Sequence, residues 1–277
     1  MAAVTRTRLR LGALLWLLTL QFFVVETVVQ AQYELAYSRV DDVISLLGSS
    51  ASSGQTLMNA SFVAQGVLIV AGLVLLRPAL PGRGGQVATA MLTAAAVGVV
   101  VVGLFPLGDD DTAHRFGAFL YLLGSGIGLI GTAYAVRPRS EALGTVLALL
   151  GLFTTAMTVF YLAGVTGYLG EGGTERAAAY PLPLGLVIAG IGLLVVVDRP
   201  VSEAATGRRA LREQARAERI RRARERDEAL EAAAARAAAT GRPDADPDAP
   251  PAQDDASATD DFDPDDPWAT PRRRRDT

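Results

Sequence analysis

The sequence predicts an all-α membrane protein with six transmembrane helices, both termini cytoplasmic, a short extracytoplasmic interfacial helix and a disordered cytoplasmic tail. Half of the 277 residues are hydrophobic. They gather in runs of about 20 residues, long enough to cross a bilayer, and do not recur at the period of a soluble helix. Clusters of Arg, Asp, Pro or Gly separate the runs, and Arg is concentrated in alternate connections.

Six apolar runs can each cross a hydrocarbon core of about 30 Å at about 1.5 Å per residue. They cover residues 11–29, 59–76, 87–107, 116–136, 142–162 and 181–197. The first run also resembles a secretory signal, because three arginines precede it and a small-residue site ends it at Ala31. Its length and the further spans behind it favour a permanent first span.

Arginine placement predicts the orientation, because short loops rich in positive charge stay in the cytoplasm. Lysine is absent, so only arginine contributes. The inner arginines are Arg6, Arg8, Arg10, Arg77, Arg83, Arg137, Arg139, Arg199, Arg208, Arg209 and Arg212, and the outer ones are Arg39, Arg115 and Arg176. With six crossings, both termini are expected in the cytoplasm.

The first outer segment, from about residue 30 to residue 58, is the longest connection between spans and carries a helix-start signal. Ser38 followed by Asp41 has the spacing of a capping box, which predicts a short helix over residues 39–47. Its apolar residues share one face, so the helix is expected to lie flat on the membrane. Asp42 and Ser45 fall on the other face, where they point either into a site or to water, and the segment by itself favours water.

Polar residues gather at the predicted outer ends of the spans. The candidate binding residues are Asp42, Ser45, Asn59, His114, Glu175 and Arg176. Four of them are predicted to converge in one outer pocket: Asp42, Asn59, His114 and Glu175. The sole histidine, His114, opens the fourth span, where it is either a site residue or an interface residue hydrogen-bonded to a loop.

Within the spans, polar and glycine residues indicate helix packing. Ser61 and Gln65 lie where no water can satisfy them, so we expect them to face other helices. One stripe of the fourth span carries His114, Gly117, Tyr121, Gly124, Gly128 and Gly131. Its four-residue glycine spacing lets helix backbones approach closely. The last outer segment, residues 170–176, is expected to be a flexible glycine loop whose Glu175 and Arg176 could pair with the first outer segment.

Short motifs in order along the chain resemble a known membrane family. They are Tyr37-Ser38, Asp42-x-x-Ser45-x-Leu47-Gly48, Met58-Asn59-Ala60-Ser61-Phe62, Gln65-Gly66, Gly103-Leu104-Phe105-Pro106, His114-x-x-Gly117-Ala118, and Gly173-x-Glu175-Arg176 to Tyr180-Pro181. Residues 21–197 thereby resemble the family called domain of unknown function 998. The resemblance implies a prokaryotic six-span fold with signature residues at the extracytoplasmic helix ends, and it implies no reaction. The chain departs from its relatives at Asp41-Asp42, where a single polar residue is common.

The composition changes abruptly after the six-span domain, which is predicted to cover residues 1–199. Residues 200–240 read as a charged juxtamembrane helix with pairs such as Glu218 and Arg222 at the four-residue spacing. Its arginines could each gain about 1 kcal/mol from anionic lipid, or the helix could simply be solvated. Residues 241–277 are rich in Pro, Asp and Ala and are expected to be disordered. A protein partner could recognise Trp268 in this tail.

Three functions fit these residues. The favoured one is a non-catalytic protein of the cell membrane that binds a lipid, a small molecule or a partner protein through its polar outer pocket. The alternative is a membrane-embedded hydrolase or transferase with His114 as general acid or base, an acidic partner in Asp42 or Glu175, and Ser45 or water as nucleophile. A transporter would normally show broken helices or ionisable groups near mid-membrane, whereas Glu26 is the acid found within a predicted span.

Composition excludes several other classes of function. The chain has no cysteine and one histidine, so it offers no disulfide, no thiolate and no ordinary zinc ligand set. It contains no phosphate-binding glycine loop and no dinucleotide fingerprint, so we expect no cofactor. The basic residues of the juxtamembrane helix alternate with acids, which argues against nucleic acid as a partner. Membrane lipids are the expected partners.

Overall fold

The computed structural model describes residues 5–34, 36–198 and 203–239, and these residues are predominantly helical. The α-helices are α1 (Arg6–Leu18), α2 (Gln21–Ala31), α3 (Gln55–Leu76), α4 (Gly82–Leu104), α5 (Asp111–Val136), α6 (Glu141–Leu162), α7 (Gly170–Ala179), α8 (Pro181–Val196) and α9 (Glu203–Ala239). Two short 3-10 helices, Ile44–Gly48 and Arg77–Ala79, lie between them.

Six helices or joined helix pairs of the described residues are long and apolar enough to cross a membrane. They are Arg6–Ala31, Gln55–Ala79, Gly82–Leu104, Asp111–Val136, Glu141–Leu162 and Gly170–Val196. The six predicted spans are therefore confirmed, and the protein is a multi-pass membrane protein.

Several helices begin before the apolar runs that predicted them. The helix α3 begins at Gln55, not at residue 59, and α5 begins at Asp111, not at residue 116. Asp110 caps α5, because its Oδ1 accepts hydrogen bonds from the amides of Thr112 and Ala113, both at 3.0 Å. A polar cap lies outside the apolar run by its nature, so hydropathy places the start of such a helix too late.

The first span is interrupted between α1 and α2 at Thr19 and Leu20. The amides of these residues donate to the carbonyl oxygens three residues earlier, Trp16 O at 3.2 Å and Leu17 O at 3.1 Å. The hydroxyl of Thr19 donates to Trp16 O at 2.6 Å as well. This is the bonding of a 3-10 turn, so the interruption is a tightened turn with satisfied backbone groups and not an unwound segment.

The glycine segment predicted as a flexible loop is helical. Residues 170–176 belong to α7, which joins α8 at Tyr180 and Pro181 to complete the sixth span. Gly170 adopts a φ of +73°, which lets the chain turn into α7 without the strain that a side chain would bring. Pro181 has no amide hydrogen and therefore starts α8 as a separate helix.

The prediction of an interfacial α-helix over residues 39–47 is wrong in the type and in the extent of the helix. Residues 39–41 form a turn, and the 3-10 helix Ile44–Gly48 follows. The turn uses the predicted capping residue, since Ser38 Oγ accepts from the Asp41 amide at 3.2 Å. Asp42, however, is the acid that reaches back to the Ser38 amide, at 2.8 Å. Ile44 and Leu47 are buried in the protein core, so these two apolar residues do not rest on lipid.

The six spans form a closed ring in which each packs against its neighbours in the chain. The helix α1 closes the ring by contacting both α3 and α8. Its Trp16 is fully buried, fits against Gly72 and donates its indole hydrogen to Ile69 O at 3.2 Å. Such contacts are expected of a permanent first span.

Glycines bring α4 and α5 together as the sequence predicts. A Cβ on Gly117 would lie 2.8 Å from Gly98 O, and one on Gly124 would lie 2.6 Å from Met91 O. Both distances are shorter than a carbon atom tolerates, so only glycine allows this approach. The packing also fixes the position of His114 along the helix axis relative to α4, because His114 lies one turn before Gly117.

The helix α9 follows the predicted juxtamembrane segment, residues 200–240, over residues 203–239. The predicted pair of Glu218 and Arg222 is present, with Arg222 Nη2 2.5 Å from Glu218 Oε1. Ile220 and Leu230 are exposed, which agrees with a helix that has no apolar seam. The tail predicted to be disordered, residues 241–277, lies outside the described residues, as does Trp268.

Candidate functional site

Glu26 and Arg176 form a buried ion pair between the first and sixth spans. Glu26, on α2, is 1% exposed, and Arg176, on α7, is 5% exposed. Arg176 Nε donates to Glu26 Oε1 at 2.9 Å. The hydroxyl of Tyr180 lies 2.6 Å from Glu26 Oε2, to which it donates, and the Arg39 guanidinium lies 3.5 Å from Oε1. The carboxylate is thus hydrogen-bonded on both oxygens, which offsets the cost of its burial.

The same arginine holds the first outer segment. Arg176 Nη1 donates to the carbonyl oxygens of Arg39 at 2.9 Å and of Asp42 at 2.8 Å. It also lies 3.1 Å from Gly172 O, one turn back in α7. Together with the Nε bond to Glu26, these contacts tie the backbone of the first outer segment to two spans. We call the set Glu26, Tyr37, Arg39, Arg176 and Tyr180 the clasp.

Tyr37 completes the clasp on the side of the first outer segment. Its hydroxyl accepts a hydrogen bond from Arg176 Nη2 and donates to Val43 O at 3.0 Å. Its ring centroid lies 5.6 Å from the Arg176 guanidinium carbon, within the range of a cation–π contact. Burial raises the pKa of Tyr37 to about 12, against the opposing effect of Arg176. The hydroxyl therefore keeps its proton, and with it the bond to Val43, at physiological pH.

The glycines of α7 explain how the first outer segment comes so close. A Cβ on Gly172 would overlap the Asp42 carbonyl oxygen, and a Cβ on Gly170 would overlap that of Val40. The amide of Gly173 donates to Val40 O at 3.0 Å. The glycines thus provide a flat helix surface on which backbone can lie, and their function here is close approach, not flexibility.

A cavity lies beside the clasp, at the end of the bundle where the first outer segment folds over the helices. Its apolar walls are Phe22, Ile44, Phe62, Val99, Val102 and Leu122. Its polar lining is Ser45, Gln65, His114, Tyr121 and Glu175. The cavity contains about 480 Å³ of space not filled by atoms, its mouth included, and its enclosed part has room for about three water-sized groups.

Glu175 and Ser45 reach the cavity from facing segments. Glu175 Oε2 accepts a short hydrogen bond from the amide of Ile44, and Oε1 is the carboxylate oxygen left to accept from an occupant. Ser45 is 7% exposed and follows Ile44 in the 3-10 helix. The contact between Glu175 and Ile44 therefore positions both the carboxylate and the serine at the cavity wall.

His114 lies in the first turn of α5 and is 4% exposed. Its Nδ1 is 2.8 Å from the carbonyl oxygen of Phe105. Because a carbonyl only accepts, Nδ1 carries a proton, and in the neutral imidazole Nε2 is then the acceptor. The hydrogen bond to a loop carbonyl is the interface role considered for His114, and it coexists with a place in the cavity lining.

Gln65 contributes a polar group that the protein does not satisfy. The residue is fully buried, and its Oε1 accepts from Gln21 Nε2 at 3.3 Å. Ser61 Oγ donates to Gln21 Oε1 at 2.9 Å, so Ser61 and Gln65 face another helix as predicted. Gln65 Nε2 has no hydrogen-bond partner among the described residues, although the Tyr121 hydroxyl lies nearby. A buried amide without a partner commonly marks a site for water or a ligand.

The structure brings together three of the predicted site residues, Ser45, His114 and Glu175. The others lie outside the cavity lining. The Asp42 carboxylate closes its own turn on the Ser38 amide. Asn59 donates to Gly48 O at 2.8 Å and so holds the end of the 3-10 helix. Arg176 uses each of its guanidinium nitrogens within the protein.

Sequence reasoning did not assign a site role to Glu26, Tyr37, Tyr180 or Gln65. An acid within an apolar span is rarely left without a cationic partner, so Glu26 could have been paired with one of the outer arginines. Arg176 and Arg39 both approach Glu26, and which arginines reach it depends on how the helices pack, which no local pattern shows. Among the described residues, no three His, Asp or Glu side chains cluster closely enough to hold a metal ion.

Comparison with known families bears on the same residues. The model of a family described as Protein of unknown function (DUF998) matches residues 11–198. The chain belongs to DUF998. The match extends across all six spans and confirms the resemblance inferred from the motifs, several of which form the clasp and the cavity of this DUF998 protein. Comparison with curated proteins and with solved structures found no match.

Removing one partner of the buried ion pair should destabilise the protein strongly. We expect Glu26→Gln and Arg176→Met each to lower the free energy of unfolding by about 3–5 kcal/mol, because each leaves an uncompensated buried charge. The double variant should lose less than the sum of the two. Unfolding of purified protein in detergent measures this.

The control for this prediction is Glu141→Gln, which breaks the exposed pair with Arg137 and should leave stability unchanged within error. If Glu26→Gln unfolds like this control, the ion pair is not what holds the clasp.

Proposed function

We propose that this DUF998 protein binds a small amphiphilic molecule, such as part of a membrane lipid, in the cavity beside the clasp. The observation that carries the proposal is the combination, in one partly enclosed space, of apolar walls with a Gln65 amide that has no partner among the described residues. Ligand sites are typically apolar pockets with a few convergent polar groups. Ser45, His114 and Glu175 supply the remaining polar groups.

The proposal places the cavity at the extracytoplasmic face of the cell membrane, with both termini in the cytoplasm. The support is the excess of arginine in the connections at the opposite end of the bundle. An occupant would then come from the outer leaflet or from outside the cell. The exposed apolar side chains of the spans make membrane lipids the immediate neighbours.

An enzyme is the second candidate, and one observation favours it. His114, Ser45 and Glu175 line the same cavity, and the Phe105 carbonyl fixes the His114 ring with Nε2 as the potential base. A general base needs hydrogen-bond reach to the proton that it removes. Among the described residues, however, His114 makes its hydrogen bond to Phe105, and Glu175 makes its bond to Ile44. Binding therefore fits the geometry better than a preformed catalytic pair.

Filling the cavity should abolish ligand retention. Val102 lines the cavity and is 7% exposed, whereas Val97 lies on the same helix and is 50% exposed. We expect a small molecule to co-purify with the wild-type protein in mild detergent, as detected by native mass spectrometry. Val102→Phe should lose this molecule and Val97→Phe should retain it. Equal occupancy in both variants, at comparable melting temperatures, would argue against a ligand in this cavity.

Single cysteines should report the proposed orientation without background, because the chain contains none. Ala51, in the first outer segment, and Ala217, in α9, are both exposed. In intact cells, Ala51→Cys should react with a membrane-impermeant maleimide, and Ala217→Cys should react only after lysis. The reverse pattern would place the cavity on the cytoplasmic side.

The two candidate functions differ in their effect on lipid composition. In a deletion strain, we expect His114→Gln to restore the wild-type lipid profile if the site only binds, because the amide can still donate to Phe105 O. A lipid that changes on deletion and is restored by the wild-type protein, but not by an equally abundant His114→Gln protein that still retains the molecule bound by the wild type, would instead favour the enzyme.

A further inference from the structure

Resting on the proposed function, we propose that the cavity recognises an uncharged hydroxyl-bearing head attached to an apolar chain, and that it discriminates against anionic heads. The ligand class is that of neutral amphiphilic alcohols, for which a monoacylglycerol is a suitable probe. The argument uses the hydrogen-bonding capacity of the lining, its charge and its size.

The polar lining offers more acceptors than donors. In its ionised form Glu175 accepts at Oε1, and in the neutral imidazole His114 Nε2 accepts as well, since Nδ1 donates to Phe105 O. The Tyr121 hydroxyl donates to Ala179 O at 3.4 Å, so its oxygen is left to accept. The Ser45 hydroxyl can donate or accept, and the buried donor without a partner among the described residues is the Gln65 amide. An occupant that satisfies this set must accept one hydrogen bond and donate at least one.

The lining carries an acid but no lysine or arginine. Arg176 follows Glu175 directly, yet its guanidinium is turned into the clasp and is bonded at Nε, Nη1 and Nη2. A phosphate or carboxylate would therefore enter a partly enclosed space whose lining offers an acid and no positively charged side chain. Burial of an anion under those conditions is unfavourable.

A hydroxyl fits the acceptor and donor pattern better than an ammonium does. An ammonium carries three donors and no acceptor, so it would leave the Gln65 amide unsatisfied. A hydroxyl accepts from Gln65 and donates to Glu175 or His114, and a vicinal diol does so twice. The enclosed part has room for about three water-sized groups, the size of a glyceryl head. The phenylalanine and valine walls suit the start of an alkyl chain.

The experiment compares probes that share one chain and differ in their heads. Monooleoylglycerol, oleoyl lysophosphatidic acid, oleylamine and free glycerol would be titrated into the purified full-length protein, with binding followed by native mass spectrometry. We expect monooleoylglycerol to bind at least tenfold more tightly than the lysophosphatidic acid. Val102→Phe should abolish its binding and Val97→Phe should not. Binding by free glycerol at equal affinity would also support hydroxyl recognition, with a soluble polyol as its source.

Two conservative variants test the individual polar groups. Gln65→Glu keeps an acceptor for the Gln21 amide and removes the cavity donor, so it should weaken monooleoylglycerol about tenfold and move the preference towards oleylamine. Glu175→Gln keeps a carbonyl oxygen for the Ile44 amide and removes the charge, so it should reduce the discrimination against lysophosphatidic acid about tenfold. Thr132→Val is the control, because Thr132 is fully buried in α5 and bonds Gly128 O at 2.8 Å, away from the cavity lining.

The outcomes separate this inference from the proposed function. If lysophosphatidic acid or oleylamine binds as tightly as monooleoylglycerol and Val102→Phe removes that binding, the cavity is a ligand site but hydroxyl recognition is wrong. If Val102→Phe changes the binding of none of the four probes, both the inference and the proposed function are overturned. If Gln65→Glu and Glu175→Gln bind all probes like Thr132→Val, the assigned polar groups do not select the ligand.

Discussion

The buried ion pair of Glu26 and Arg176 is the interaction on which the cavity end of the bundle depends. It joins the first span to the sixth and, through the Arg176 bonds to backbone carbonyls, fastens the first outer segment over the helix ends. Two charges in an apolar bundle are stable only if each is paired and hydrogen-bonded, and the tyrosines of the clasp complete that requirement. The clasp thereby supports the segment that carries Ile44 and Ser45, which form part of the cavity wall.

Two adjacent residues of α7 have different roles, because Arg176 stabilises the clasp and Glu175 lines the cavity. Glu175 and Arg176 are about 100° apart around a helix, so one side chain reaches the cavity and the other reaches the clasp. The Arg176 guanidinium thereby forms its hydrogen bonds within the protein. The cavity lining is left with an acid and with more hydrogen-bond acceptors than donors. This uneven division of charge is the physical basis for selecting a neutral ligand head. It also links the two sites, because any movement of α7 displaces both side chains.

Sequence patterns succeeded where one local property decides the structure. Long apolar runs must be helical in a bilayer, because every backbone group needs an internal partner there, and the six spans follow. The glycine stripe of α5 correctly indicated close packing against α4. The glycines of residues 170–176 were interpreted as a flexible loop, and that prediction was wrong. They belong to a helix and allow the Val40 and Asp42 carbonyls to pack against it. Asp42 and Asn59 were placed in the pocket because they are polar, yet both are used in local turns and caps.

The sequence by itself determined the six-span architecture, the family, and the gathering of polar residues at one end of the bundle, since hydropathy and short motifs are local properties. Only the tertiary structure decided which polar residues meet. It paired Glu26 with Arg176, turned the predicted interfacial helix into a turn and a 3-10 helix, and left the Gln65 amide facing a space that the protein does not fill. These features depend on contacts between residues up to 150 positions apart, and the geometry of such contacts is set by how whole helices pack.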